Sequence, residues 1–499
     1  MSFVQNFPCF SIVICMAAGI LSTPMNGKNA KRTTLAVVSL VMVMSIAVFI
    51  YTLGTGTSFV YTMGKYPAPW GNEIRAGVLE CFLATVFSMV MLFSLIGGMD
   101  HVFKDVKEEK INLYFILVDL LLSSLLAIIY TNDLFTGYVF VEINTIAACG
   151  MIMIRESGRS LVAAIRYMVM SSIGSGLILI GLAMLYDITG HLLMRPVREA
   201  LSNLAQTGEY MMPILVIISV ITVGLAIKSG LYPFHSWMPD AYGYSTISSS
   251  SILSGLVSKS YIFLLIKIFY RVFGSDLLLK SKIVNVLFVF GLIGMIMGSV
   301  GAIMARDIYR MIAYSSIAQI GYIYMGIGLG TEAGMIAAVF HILSHAATKS
   351  LLFLSAKGLT DASGRRRQYL YLCGAAFRNP LAGAAFLVGS LSMVGIPMLS
   401  GFISKLLFAT AALEGSPRKV FYTLIVLAVS TVLNAVYYLH TVIHIYTPKE
   451  IPEECRGIHI RMTPGVALAM ICLILMNFIL GLMSQPITDL IQLGIEMFV

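Results

Sequence analysis

The 499-residue chain is poor in charge. Only 11% of its residues are Asp, Glu, Lys or Arg, where a soluble globular domain carries about a quarter. Three or four soluble domains of ordinary size would need more polar surface than this, so water is excluded as the main solvent. Cysteine is sparse and scattered: Cys9, Cys15, Cys81, Cys149, Cys373, Cys455 and Cys472, with no C-x-x-C spacing. That pattern points away from a disulfide scaffold, a zinc centre or an iron–sulfur cluster. In apolar runs a cysteine acts as a small hydrophobe. No metal and no other cofactor is expected. The N-terminus lacks a convincing cleavable signal, and its apolar run reads as a first membrane span. The net charge is +9, but no basic stripe with interleaved aromatics stands apart from the apolar segments. Nucleic acid is therefore not an expected partner, and the positive charge is assigned to loops beside a bilayer.

What the chain does have is apolar length. Hydrophobic residues make up 58% and mean hydropathy is +0.89. A crossing helix needs about 20 mostly apolar residues. The sequence divides into about 14 such runs, which predicts an all-α polytopic membrane protein. The seventh run is placed near Tyr210–Leu231, the eighth near Tyr244–Phe273 and the twelfth near Leu381–Thr410. The tail Gln485–Val499 is amphipathic and suits the interface. Of the 33 Lys and Arg, 18 fall in the loops opposite the termini and 9 on the terminus side. The richer side takes the cytoplasm, so both termini are expected to face outward across a cell membrane.

The remaining six basic residues lie inside predicted spans: Arg166, Lys228, Lys259, Lys267, Lys349 and Lys405. Glu80, Asp119 and Glu142 are acids at membrane depth. A charge at the bilayer centre costs about 2.5–3.5 kcal/mol on insertion scales, so this many imply a paired or hydrated interior and an ion pathway. Lys228 precedes Ser229-Gly230-Leu231-Tyr232-Pro233, and Lys405 follows Gly395-Ile396-Pro397 and Ser400-Gly401. Gly and Pro open a helix there and free backbone groups that only a protein-lined cavity can satisfy. Paired broken helices mark inverted repeats with ion sites near the midplane. Helices 7 and 12 would be the broken members of two five-helix units. The predicted divisions are 1–110, 111–274, 275–447 and 448–499. The plainer account of both lysines is snorkelling from helix ends.

His341, His345 and Lys349 recur at i, i+4, i+8 and share one helix face. The Glu of H-E-x-x-H is missing, so a proton relay is preferred over zinc, with structural histidines as the alternative. His440 and His444 repeat the spacing and divide evenly between relay and packing. Lys259 follows Ser248 to Ser251, Ser254 and Ser258; the hydroxyls either hold water or let helices pack closely. Lys267, eight residues on, is expected nearer the surface. Glu142, in a stretch opened by Asp133, can stay charged opposite a buried lysine.

Several stretches carry a resemblance. They are Asn132-Asp133-Leu134-Phe135 with Glu142, and Lys228 through His235, Trp237, Pro239 and Asp240 to Ala241. The others are Asp307 with Ile312 to Ser316, His341 to Lys349, and Gly395 to Lys405. The chain resembles the antiporter-like subunits shared by respiratory complex I, Mrp cation/proton antiporters and membrane-bound or energy-converting hydrogenases. The resemblance implies 14 helices, an inverted five-helix repeat and a polar axis running sideways through the membrane. It implies Glu142 and Lys228 as a coupling ion pair, Lys259 as a bridging lysine, His341 and His345 as mid-channel histidines and Lys405 as the outlet. His235, Lys349, Asp133, His440 and His444 are candidates beside that axis. Lysine rather than Glu at 405 resembles the Mrp D-type and several complex I and hydrogenase subunits, and Tyr66-Pro67-Ala68-Pro69-Trp70-Gly71 resembles the Mrp D-type and hydrogenase branch. No redox centre is implied in the chain itself.

Three functions follow as expectations. The first is a proton-translocating, or sodium-translocating, subunit of a redox-driven complex, with other membrane subunits and the bilayer as partners. The second is the D-type subunit of an Mrp Na+/H+ antiporter. The third is a stand-alone solute transporter, for which no substrate site stands out.

Overall fold

A computed structural model describes residues 3–66, 71–448 and 462–498. Among the described residues, thirteen helices are long and apolar enough to cross a bilayer. The first six crossings are α1 (Phe7–Leu21), α2 (Gly27–Thr55), α3 (Val78–Asp105), α4 (Ile111–Tyr130), α5 (Leu134–Met153) and α6 (Gly158–Thr189). An amphipathic helix, α7 (Met194–Thr207), then leads to α8 (Met211–Ser229) and a short α9 (Met238–Tyr244). Next come α10 (Ile247–Ser281), α11 (Ile283–Met304), α12 (Ile308–Leu329) and α13 (Glu332–Asp361). Two shorter apolar helices, α14 (Pro380–Val394) and α15 (Ser400–Leu413), together make one interrupted crossing. The chain closes with α16 (Pro417–Ile445), α17 (Pro464–Leu482) and the tail helix α18 (Ser484–Glu496). With that interrupted pair counted once, the expected 14 crossings are present. A two-stranded hairpin, β1 (Phe59–Thr62) against β2 (Glu73–Ala76), joins α2 to α3. The Pro67–Trp70 part of the Tyr66–Gly71 stretch lies outside the described residues, as does Cys455.

Local chemistry sets the helix ends. Asp133 accepts from the Thr136 amide at 2.7 Å and Asp307 from the Tyr309 amide at 2.8 Å. These side chains cap α5 and α12 by satisfying amides that have no partner within the helix. Burial places α10, α12 and α13 at the centre, while α6, α16 and α17 are peripheral. The core is locked where α11 meets α12 backbone to backbone. A Cβ at Gly298 would lie 2.4 Å from the Ala318 nitrogen, and one at Gly291 2.5 Å from the Met325 nitrogen. Only glycine permits that approach.

Both expected breaks are present and end alike. Gly230 closes α8 at φ +78° and Gly395 closes α14 at φ +94°. In each case the next amide reaches back five residues, Leu231 to the Ala226 carbonyl and Ile396 to the Leu391 carbonyl, both at 3.0 Å. This left-handed stop satisfies carbonyls that would otherwise be stranded at membrane depth. The two lysines sit on opposite sides of their breaks. Lys228 is the last turn of the helix before one, and Lys405 lies in the helix after the other.

Three features depart from the sequence reading. Tyr244 belongs to α9, and the eighth crossing runs as Ile247–Ser281 with π-helical turns at Leu253–Val257 and Phe269–Phe273. The polar α7 was not anticipated, because an interfacial helix has no long apolar run. Lys267 is not near the surface: it is fully buried, and its ammonium donates to the Ile129 carbonyl at 2.7 Å and the Thr131 carbonyl at 2.6 Å. It satisfies the open C-terminal end of α4, where a cation also meets the negative pole of the helix.

Candidate functional site

The site begins between α5, α6 and α8. Lys228 Nζ lies 3.1 Å from Glu142 Oε1 and donates to Thr145 Oγ1 at 2.6 Å. Ser175 of α6 also donates to Glu142. Burial is unequal: the Lys228 side chain is 0% exposed and that of Glu142 is 32% exposed. The carboxylate thus stands at the rim of the molecule with the ammonium behind it. Exposed Phe135, Val139 and Ile146 flank it on α5.

From Lys228 the polar groups pass inward to α10. The ammonium lies 5.9 Å from the centre of the Tyr261 ring, within cation–π range. Tyr261 donates to Asn144 at 2.8 Å. Lys259, two residues earlier on α10, is fully buried and donates to the Ser254 carbonyl, which the π turn presents. A π turn displaces the backbone from the regular ladder and recurs at functional sites. The serines serve mainly close packing: Ser251 pairs with Ser94 at 2.8 Å and Ser254 with Ser316 at 3.0 Å.

Next on α13 the His341 and His345 rings stack 5.9 Å apart. Among the described residues, neither ring nitrogen of His345 has a hydrogen-bond partner, nor does Nε2 of His341. His341 Nδ1 lies 2.5 Å from Ser404 Oγ on α15. The neighbouring Lys405 donates to the Val394 carbonyl at 2.7 Å, across the break, and lies 5.9 Å from the Tyr322 ring. Tyr322 in turn stacks on His341 at 5.6 Å. Lys349 sits to one side, held by the Ile312 carbonyl at 3.0 Å, by Ser315 and by the Tyr438 hydroxyl at 3.3 Å.

The other sequence candidates lie apart from this row. Asp133 is a helix cap. His235 stacks on Tyr232 at 5.0 Å in the loop after α8. His444 meets the Tyr369 carbonyl at 2.6 Å and stacks on His440. The remaining acids find local partners: Glu80 pairs with Arg75 at 2.8 Å, Asp119 accepts from Thr34 at 2.9 Å, and Asp240 pairs with Arg166 at 2.5 Å. Sequence reasoning missed Tyr261, Tyr322, Ser404 and Asn477. Asn477 of α17 accepts from Thr348 at 2.6 Å and from Ser392 and Ser400 at 3.2 Å. The available signal was a lone polar residue within an apolar run.

A family model described as NADH:quinone oxidoreductase/Mrp antiporter, TM, matches residues 131–433. The chain belongs to this family. It is 31% identical over 452 residues to the NADH-quinone oxidoreductase subunit N of Desulforudis audaxviator, covering 88% of each chain. It is 28% identical over 441 residues to a putative antiporter subunit, mnhD2, of Staphylococcus haemolyticus, covering 88% of this chain and 84% of the relative. Among solved structures, a chain of an archaeal respiratory membrane complex, the membrane-bound sulfane sulfur reductase, superposes with a TM-score of 0.86 at 25% identity. That match covers 100% of this chain and 97% of the other. A chain of the Mrp complex from Dietzia sp. DQ12-45-1b superposes with a TM-score of 0.87 at 22% identity, covering 99% and 97%, and speaks to fold alone. The protein is thus a multi-pass, antiporter-like membrane subunit.

Proposed function

We propose that the chain moves protons laterally along Glu142, Lys228, Lys259, His345, His341 and Lys405, as one pumping subunit of a redox-driven membrane complex. The observation that carries this reading is His345. It is fully buried and no described residue bonds either ring nitrogen, and leaving such groups unsatisfied costs about 1–3 kcal/mol each. A structural histidine would have its bonds made. A relay histidine needs them open to a proton carrier, and imidazole exchanges protons near neutral pH. Two further expectations accompany the proposal. The like-built stops at Gly230 and Gly395, each in the fourth crossing of a run of five, support repeats at 111–274 and 275–447. The two-to-one excess of Lys and Arg supports outward termini.

A second reading is the D-type role in a sodium/proton antiporter, favoured by the likeness to the mnhD2 subunit. Purification of the tagged complex from its native membrane separates the two. Proton uptake into vesicles that requires electron transfer, with nickel or iron in the co-purified subunits, supports the first. Uptake driven by a sodium gradient without redox-active subunits supports the second. Loss of neither activity on substitution of His345 would reject the axis.

A further inference from the structure

A cleft of about 650 Å³ opens between the α5–α6 turn and the loop after α13. Arg155, Arg159, Arg365, Arg366 and Arg367 line it, with Asp307 as its acid. That carboxylate is turned toward its own helix, capping the Tyr309 and Arg310 amides at 2.8 and 3.3 Å. The nearby Glu156 is paired with Lys107 and Lys110. Positive charge therefore dominates the cleft among the described residues.

The loop is held in shape rather than merely exposed. Buried Arg378 donates to the Ala362 carbonyl at 2.8 Å, the Cys373 carbonyl at 3.0 Å and Ser363 at 3.1 Å. Arg367 donates to the Gly243 carbonyl at 2.7 Å and stacks on Tyr309. Burial pulls the Arg155 guanidinium below its usual range; Asp105 opposes the shift and Arg367 adds to it. A neighbouring anion would relieve that crowding. The N-terminus of α6 also faces the cleft, with Ser157, Gly158 and Arg159 in its lining, and a helix N-terminus favours an anion.

One more feature selects among anions. From Gly158 downward, Val162, Ile165 and Val169 repeat along one stripe of α6 and are exposed, and the exposed Arg166 at its edge is held by Asp240. This apolar track leads from the cleft into the membrane, where a free phosphate would gain nothing. We infer that the cleft seats the phosphate headgroup of an acidic phospholipid, with its acyl chain lying along the exposed stripe of α6. Basic pockets between membrane helices suit such headgroups.

The test uses the intact complex in mixed micelles and a photoreactive diazirine phosphatidylglycerol as probe. Labelling should map to α6 and be competed by phosphatidylglycerol, but not by phosphatidylcholine or inorganic phosphate. R159Q/R365Q should weaken that competition about thirty-fold, taking about 1 kcal/mol per surface arginine. If that variant fails to assemble, R365Q alone, at an exposed loop position, should weaken it about five-fold. Unchanged competition in an assembled variant would overturn the assignment. So would equal competition by phosphatidylcholine or by phosphate. A wild-type complex that resists labelling, because an acidic segment of a neighbouring subunit fills the cleft, would overturn it as well.

Discussion

Lys228 Nζ is bonded to Glu142 Oε1 at 3.1 Å, and the partner on the protein's rim is the acid. A charge that approaches from outside meets Glu142 first. Drawing the carboxylate away changes the pair's energy by a few kcal/mol at an effective dielectric near 20. Moving one charge against 100 mV requires about 2.3 kcal/mol, so the stroke is large enough. Glu142→Gln should stop or uncouple translocation while assembly stays near normal, since the amide still bonds Ser175 and Thr145 lies alongside. If the pair only offsets the burial of two charges, Glu142→Gln with Lys228→Met should restore transport. Proton uptake by vesicles holding the double variant decides: recovery rejects the switch.

Lys405 ties the two halves of the second break by its bond to the Val394 carbonyl. Lys405→Ala should abolish pumping and leave assembly largely intact, because the left-handed stop at Gly395 is made by backbone alone. Assembled Lys405→Ala complex that still acidifies vesicles at the wild-type rate would remove this lysine from the outlet.

Lys267 has the opposite expectation. It completes the end of α4 and touches none of the proposed relay groups. Lys267→Met should lower stability by about 1–3 kcal/mol, the cost of stranding a buried carbonyl, read as an earlier thermal unfolding. Pumping per assembled complex should stay within about two-fold of wild type, a change worth under 1 kcal/mol. A pumping defect without a stability change would make Lys267 a relay.

The orientation can be read chemically. Arg365 lies in the exposed loop after α13. Arg365→Cys should react with a membrane-impermeant maleimide in inverted vesicles and not in intact cells. Labelling of intact cells would reverse the proposed topology.

These residues also show what was legible in the sequence. The breaks were readable because glycine and proline act through the local backbone. The row from Lys228 to Lys405 was readable because buried charge is costly in a membrane. Lys267 misled because its partners, the Ile129 and Thr131 carbonyls, are 138 and 136 positions away in the chain and identify themselves only after packing. The π turn before Lys259 leaves no trace in composition, since it changes the bonding of the backbone and not the residue types. Helix α7 was missed for a third reason: its one-sided polarity lowers the hydropathy on which span finding depends.

The glycine contacts between α11 and α12 have a mechanical consequence. Two helices meshed so closely that a methyl group cannot be inserted can neither slide nor roll past one another without tearing the fit. They behave as a stator. Outside it lie the π turns of α10, the break after α8 and the break before α15. These are where the backbone can yield. In the proposed relay, a signal from Glu142 to Lys405 therefore passes without α11 moving against α12. It would cross that middle as charge, handed over a stationary frame.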